Sequence, residues 1–181
     1  MAFWPGFSSD NFLFMFVPQS GKTNIVLSAL FTNFENMQSS TKSMVNFFYE
    51  TPVSLRQREQ LKSFILTIFK KEKKKVSGIN YIFCTDKRVL EINRQFLQHD
   101  YYTDIITFEL SVPGTPVEAE VYISVDRVKD NARQVGAPYY KELHRIIFHG
   151  VLHLCGYKDK TAAQEQEMRR REDYYLNLYF N

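Results

Sequence analysis

From Met44 onward the chain alternates short β-rich runs with longer amphipathic ones, and that order leaves few folds open. VNFFYE (45–50) fits a first strand. Ser54 and Gln57 form a capping-box pattern that predicts a helix start. Leu61, Phe64, Ile65 and Ile68 follow at i, i+3, i+4 and i+7 as one apolar stripe. Gly78 punctuates, INYIFCT (79–85) predicts a second strand, and Asp86 is placed to cap a helix over 87–98. DIITFEL (104–110) and EVYISV (120–125) read as two further strands, joined hairpin-fashion through the turn-rich PGTP (113–116). Asp126 suits the N-cap of a helix over 127–135, which GAP (136–138) stops. A long helix follows Pro138 and ends at Gly156, and a last one covers 162–176 with Met168 facing inward. The order β-α-β-α-β-β-α-α-α predicts an α+β domain, a small mixed four-stranded sheet packed with helices.

Composition changes at the start of that pattern. Residues 1–43 carry four charges (Asp10, Lys22, Glu35, Lys42), seven of the sixteen phenylalanines and the single tryptophan, Trp4. NFLFMFV (11–17) resembles the apolar part of a signal peptide, but no basic residue precedes it and no convincing small-residue cleavage site follows. PQSGKT (18–23) is half a Walker A loop; Phe16 stands where the leading glycine is needed. Residues 1–43 are therefore read as an N-terminal extension, disordered or from a mis-assigned start, and 44–181 as the domain. The chain is long enough for one real core. A net charge of +3 permits a nucleic-acid partner without demanding one. Cys84 and Cys155 form no disulfide framework, and no apolar run is long enough to span a bilayer, so a cytoplasmic protein without a membrane partner is expected. KKEKKK (70–75) is read as a solvated helix end whose cations complement the helix dipole, with RNA phosphates as the alternative.

The chemistry gathers in FHGVLHLCGYKDK (148–160). On a helix, His149 and His153 lie about 40° apart around the axis and one turn apart along it, the spacing of two ligands to one ion. Gly156 lets the backbone leave the helix at positive φ, so Asp159 can return toward the rings. Two imidazoles and one carboxylate make three metal ligands and leave a position for water, as catalytic sites do. The plain alternative is two packed histidines followed by an ordinary turn aspartate. His144 points off that face, and His99 stands at a predicted helix end; both are read as structural or surface residues. Cys155 is read as buried filler. Gly150 is expected to keep one side of the helix bare for substrate. The spacing is zincin-like, but H-E-x-x-H proteases carry their general base where this chain has Gly150, which disfavours a metalloprotease.

HGVLHLCGY (149–157) resembles the H-G-x-L-H-L-x-G-Y signature of the YbeY family of bacterial endoribonucleases. NRQFLQHDYYTDIITFEL (93–110) is similar to that family's N-x-x-Y-R-x-x-D-x-x-T-D-V-L-S-F, and AEVYISVD (119–126) to its G-D-I-x-I-S-x-D. The resemblance covers residues 44–181. It implies a single-strand-specific, metal-dependent endoribonuclease in rRNA processing, namely maturation of the 16S rRNA 3′ end, and in ribosome quality control. It also implies one divalent metal ion, zinc first, with rRNA, the small ribosomal subunit and a ribosome-assembly GTPase as partners. Carried onto this chain, the ligands are His149, His153 and Asp159, which act catalytically through a metal-activated water. Asp159 replaces the family's third histidine, and Lys158 stands where an aspartate is usual. The carboxylate lowers the site's charge by one and admits iron or manganese beside zinc. Leu97 falls where the family has an arginine, which leaves Arg94 and Lys158 as candidates for substrate phosphate. Two alternatives stay open: a non-catalytic ribosome-assembly factor with a structural metal, and a metal-dependent hydrolase of a small molecule.

Overall fold

The computed structural model describes residues 12–16 and 44–181. Five strands and five α-helices follow in chain order: β1 (Phe12–Phe16), β2 (Val45–Tyr49), α1 (Arg58–Lys71), β3 (Val76–Cys84), α2 (Asp86–Ile92), β4 (Ile105–Glu109), β5 (Val117–Ser124), α3 (Val125–Gln134), α4 (Tyr139–Leu154) and α5 (Ala162–Phe180). A short π-helical turn, Asn93–Leu97, continues α2. The sheet order is β1-β4-β5-β3-β2. Strands β2, β3 and β5 are parallel, β4 is antiparallel to β5, and β1 is parallel to β4.

The expected mixed four-stranded sheet is thus β4-β5-β3-β2, and β4 and β5 are the expected adjacent pair. β1 adds a fifth strand along the outer edge of β4, with Phe12 opposite Ile105 and Phe16 opposite Glu109. The half Walker A segment at 18–23 lies outside the described residues.

Both faces of the sheet are covered, because side chains alternate along each strand. Ile79, Tyr81 and Phe83 of β3 join Val121 and Ile123 of β5 in the larger core, under α1, α4 and α5. Ile82 and Cys84 of β3, Ile106 and Phe108 of β4 and Tyr122 of β5 face the other way, against Val89 and Ile92 of α2. Burial on two faces explains why INYIFC reads as an almost unbroken apolar run.

Several helix starts differ from the sequence expectation by a few residues, and each difference has a cause. α1 begins after Gln57, which adopts φ 50° and makes no side-chain cap, so the Ser54 capping box does not form. The chain instead spends residues 54–57 burying Leu55, whose carbonyl accepts from Arg58 Nε. Thr85, not Asp86, caps α2, and Ser124, not Asp126, caps α3; their hydroxyls accept from the backbone N–H groups of Arg88 and Arg127. Asp86 is free to take Arg127 Nε at 3.0 Å, and Asp126 accepts from Asp86 N. Met168 of α5 is buried, as its position predicts.

Candidate metal centre

Helix α4 lies across the inner face of the sheet and is buried from Leu143 to His144 and from Ile146 to Leu154. Its close seat depends on Gly150. A Cβ there would stand 3.0 Å from Ile105 Cδ1 and 3.3 Å from Val121 Cγ1. Gly150 therefore faces the sheet and brings helix and strands together; it does not leave a face bare for substrate, as the sequence had suggested. The packing also closes that position to the glutamate of an H-E-x-x-H site.

His149 and His153 project from one face of α4, with ring centroids 4.4 Å apart and planes at 86°. Gly156, at φ 103°, then reverses the chain. Its N–H donates to the His153 carbonyl (2.8 Å), and Tyr157 N–H donates to the Leu152 carbonyl (3.0 Å). These are the two bonds of a Schellman motif with glycine at C′. The reversal carries Asp159 back over the helix end, to 3.3 Å from His153 Nε2 and 3.6 Å from His149 Nε2. One donor atom from each of the three residues lies within 4.8 Å of the others.

The remaining ring nitrogens explain why these atoms face one point. His149 Nδ1–H donates to Glu172 Oε1 (2.7 Å), and His153 Nδ1–H donates to the Tyr157 carbonyl (3.0 Å). Each acceptor needs a proton on Nδ1, so each Nε2 presents its lone pair toward Asp159. Ligands about 2.0–2.2 Å from a tetrahedral ion stand about 3.3–3.6 Å apart. The two carboxylate–imidazole distances match that spacing, so the donor set fits a small divalent ion.

Electrostatics keep the donors in their ligand forms. Burial lowers the His149 pKa, His153 lowers it further, and the Glu172 contact only partly opposes them. His149 is thus a neutral imidazole. Burial works to raise the Asp159 carboxyl, yet the adjoining His153 and His149 hold it below its usual value. Glu172 is buried as well, but His149, Arg169 and Arg145 hold its carboxylate down to about 2. Arg145 Nη1 lies 3.2 Å from Glu172 Oε2 and reaches Asp173 at 2.8 Å.

Glu172 escaped the sequence reading. The available signal was its place on the buried stripe of α5, between Met168 and Tyr175, where a carboxylate needs a partner. The other candidates divide. Lys158 is exposed beside Asp159. Arg94 is exposed too, but its Nε is engaged by Asp100 at 2.6 Å. Leu97 packs against the smaller core. His144 donates from Nδ1 to the Tyr140 carbonyl and lies against Tyr179 and Phe180, while His99 meets the Tyr101 hydroxyl. Cys155 is half-buried at the C-cap of α4, and its thiol is pushed up to about 12, chiefly by burial.

Fold and site together define a class: a compact α+β domain that presents two histidines and an aspartate from one helix and the turn after it. The profile described as Endoribonuclease YbeY matches residues 49–179. A protein of Cytophaga hutchinsonii with the name Endoribonuclease YbeY is 49% identical over 134 residues, 73% of this chain and 94% of that one. A namesake from Flavobacterium psychrophilum is 43% identical over 136 residues, 75% of this chain and 96% of its own. The solution structure of TM1509 from Thermotoga maritima superposes with a TM-score of 0.53 at 30% identity, covering 76% of this chain and 89% of that one. The chain belongs to the YbeY family. Among the described residues, no helix is long and apolar enough to cross a membrane.

Proposed function

We propose that the protein is a metal-dependent endoribonuclease that cleaves single-stranded RNA in rRNA maturation, at the 3′ end of the 16S precursor, and serves ribosome quality control. Residues 44–181 form the catalytic unit and residues 1–43 an N-terminal extension to it; the family match from residue 49 supports that division. One observation carries the reading: the Nε2 atoms of His149 and His153 converge on Asp159 while both Nδ1 atoms are held by other groups. These three side chains would hold one divalent ion, zinc in our reading, since two imidazoles and a carboxylate suit it. Bound there, the ion would supply Lewis acidity toward a phosphodiester oxygen and lower the pKa of a water toward about 7.

The protein's own part is orientation and charge. Glu172 fixes the tautomer and tilt of His149, and the Tyr157 carbonyl does the same for His153. Asp159 brings one negative charge where the family has a neutral ring, so the water should be somewhat less acidic here. Lys158 flanks the third donor and is assigned to a substrate phosphate. Arg94 is the second candidate, with its charge shared by Asp100. rRNA, the small ribosomal subunit and a ribosome-assembly GTPase are the partners, and the cytoplasm is the location.

His153→Ala should abolish both bound metal and cleavage of a single-stranded RNA. Cleavage by metal-free protein would overturn the mechanism. RNA binding without turnover in metal-loaded wild type would favour the assembly factor, for which Leu97 speaks. A flat salt response of binding would favour a small-molecule hydrolase.

A further inference from the structure

The lysine run that closes α1 is distant from the metal turn in sequence but adjacent to it in space. Glu72, the C-cap of α1, accepts from the Tyr157 hydroxyl at 3.0 Å and from Arg171 and Tyr175 of α5. Tyr157 is the same residue whose carbonyl orients His153. One tyrosine therefore separates the run from a metal-site histidine.

We propose that this run, with Lys158 and Lys160 of the metal turn, forms the track on which the phosphates of a single-stranded RNA lie as the strand crosses the site. Three features favour that over an idle helix end. First, Lys70, Lys71, Lys73, Lys74 and Lys75 are all exposed, as are Lys158 and Lys160. None of the seven has an ion-pair partner within 4 Å among the described residues. Second, the single carboxylate inside the run, Glu72, is turned inward to Arg171 and two tyrosines, so it does not neutralise its neighbours. Third, Tyr157 joins the two groups of lysines through Glu72, and a further aromatic ring lies close to it. The Arg171 guanidinium lies 5.4 Å from the Tyr157 ring centroid and 5.6 Å from that of Tyr174, and Tyr174 is exposed for a base to stack on. Cations interleaved with open rings are what a single strand needs: phosphate neutralisation plus a stacking platform tolerant of sequence. The track also offers cations near the site where Leu97 offers none.

This inference rests on the ribonuclease reading, and one experiment separates them. Binding of a fluorescent single-stranded oligoribonucleotide, checked intact by gel, is followed by anisotropy from low to moderate salt. Three proteins are compared: wild type, the Lys71→Gln, Lys74→Gln, Lys75→Gln variant, and a Lys87→Gln, Lys129→Gln control. The control lysines follow the carboxyl ends of β3 and β5, whereas the run precedes the amino end of β3. With about 0.7 counterions released per contact, the track variant should lose about 2 from the slope of log affinity against log salt. It should also bind at least tenfold more weakly at low salt, with its metal content and melting temperature unchanged and the control like wild type. An unchanged slope in the track variant, or an equal loss in the control, overturns the track alone. A wild type with no salt-dependent RNA binding overturns the ribonuclease reading and the track with it.

Discussion

His149 Nδ1 lies 2.7 Å from Glu172 Oε1, a buried contact that ties the histidine helix α4 to the C-terminal helix α5. The carboxylate sets which imidazole nitrogen carries the proton and holds the ring at one tilt. Losing such a partner typically costs 10–100-fold in metal affinity. Glu172→Ala should show a loss of that order in competition with a chromophoric chelator, and Glu172→Gln a smaller one. Because Glu172→Ala also removes one of the three carboxylates around the largely buried Arg145, which keeps Asp173 and Glu142, it should lower unfolding stability by about 2 kcal/mol. Wild-type metal affinity in Glu172→Ala would exclude an orienting role.

Gly150 stands at a close approach of helix and sheet, and two effects compete there. Alanine gains about 1 kcal/mol of helix propensity over glycine. Its Cβ, however, would meet Ile105 at 3.0 Å and Val121 at 3.3 Å, and overpacking costs about 1–3 kcal/mol. The Ile105 methyl end can yield, but Val121 branches next to its backbone and yields less. Gly150→Ala should therefore destabilise by about 1 kcal/mol in urea, where an exposed helix site would gain. Gly150→Glu, the protease arrangement, should not fold.

In the proposed function Asp159 is the third metal ligand, where the resemblance implies a histidine. Asp159→His should retain one metal equivalent and raise the preference for zinc over manganese, since a neutral softer ligand replaces a hard anion. Asp159→Ala should lose metal. Elemental analysis after equilibration with mixed metals reads both outcomes, and equal metal preference in wild type and Asp159→His would exclude Asp159 as a ligand.

Asp104 gives the protein a pH dependence separate from the metal. Its side chain is fully buried, and burial together with the charge of Glu142 pushes it up to about 8, against a hydrogen bond from Asn131. The folded chain therefore holds this proton between pH 3.8 and about 8 while the unfolded chain releases it. Stability falls as pH rises through that window, because the folded state binds more protons. Asp104→Asn, neutral throughout, should raise the melting temperature more at pH 8 than at pH 5. Equal shifts at the two values would mean that Asp104 is ionised in the folded protein.

What the sequence carried, and what it withheld, follows from the range of the interactions. The strand and helix order was legible from periodicity, because buried stripes repeat locally. The H-x-x-x-H spacing with Gly156 was legible because one helix turn and one Schellman reversal fix it within eleven residues. Caps fell a residue or two away from their expected places, since Thr85 and Ser124 took roles that Asp86 and Asp126 gave up for long-range contacts. Gly150 was misread because its reason lies on β4 and β5, remote in sequence. Glu172 and Glu72 were missed for the same cause: their partners sit 23 and 85 residues away.

X-ray absorption at the edge of the metal bound by the purified wild-type protein tests the central claim most directly. Two imidazole nitrogens at about 2.0–2.1 Å, with the rest of the shell oxygen, is the result expected from His149, His153 and Asp159. A sulfur ligand at about 2.3 Å, or a shell with no imidazole scattering, would contradict it.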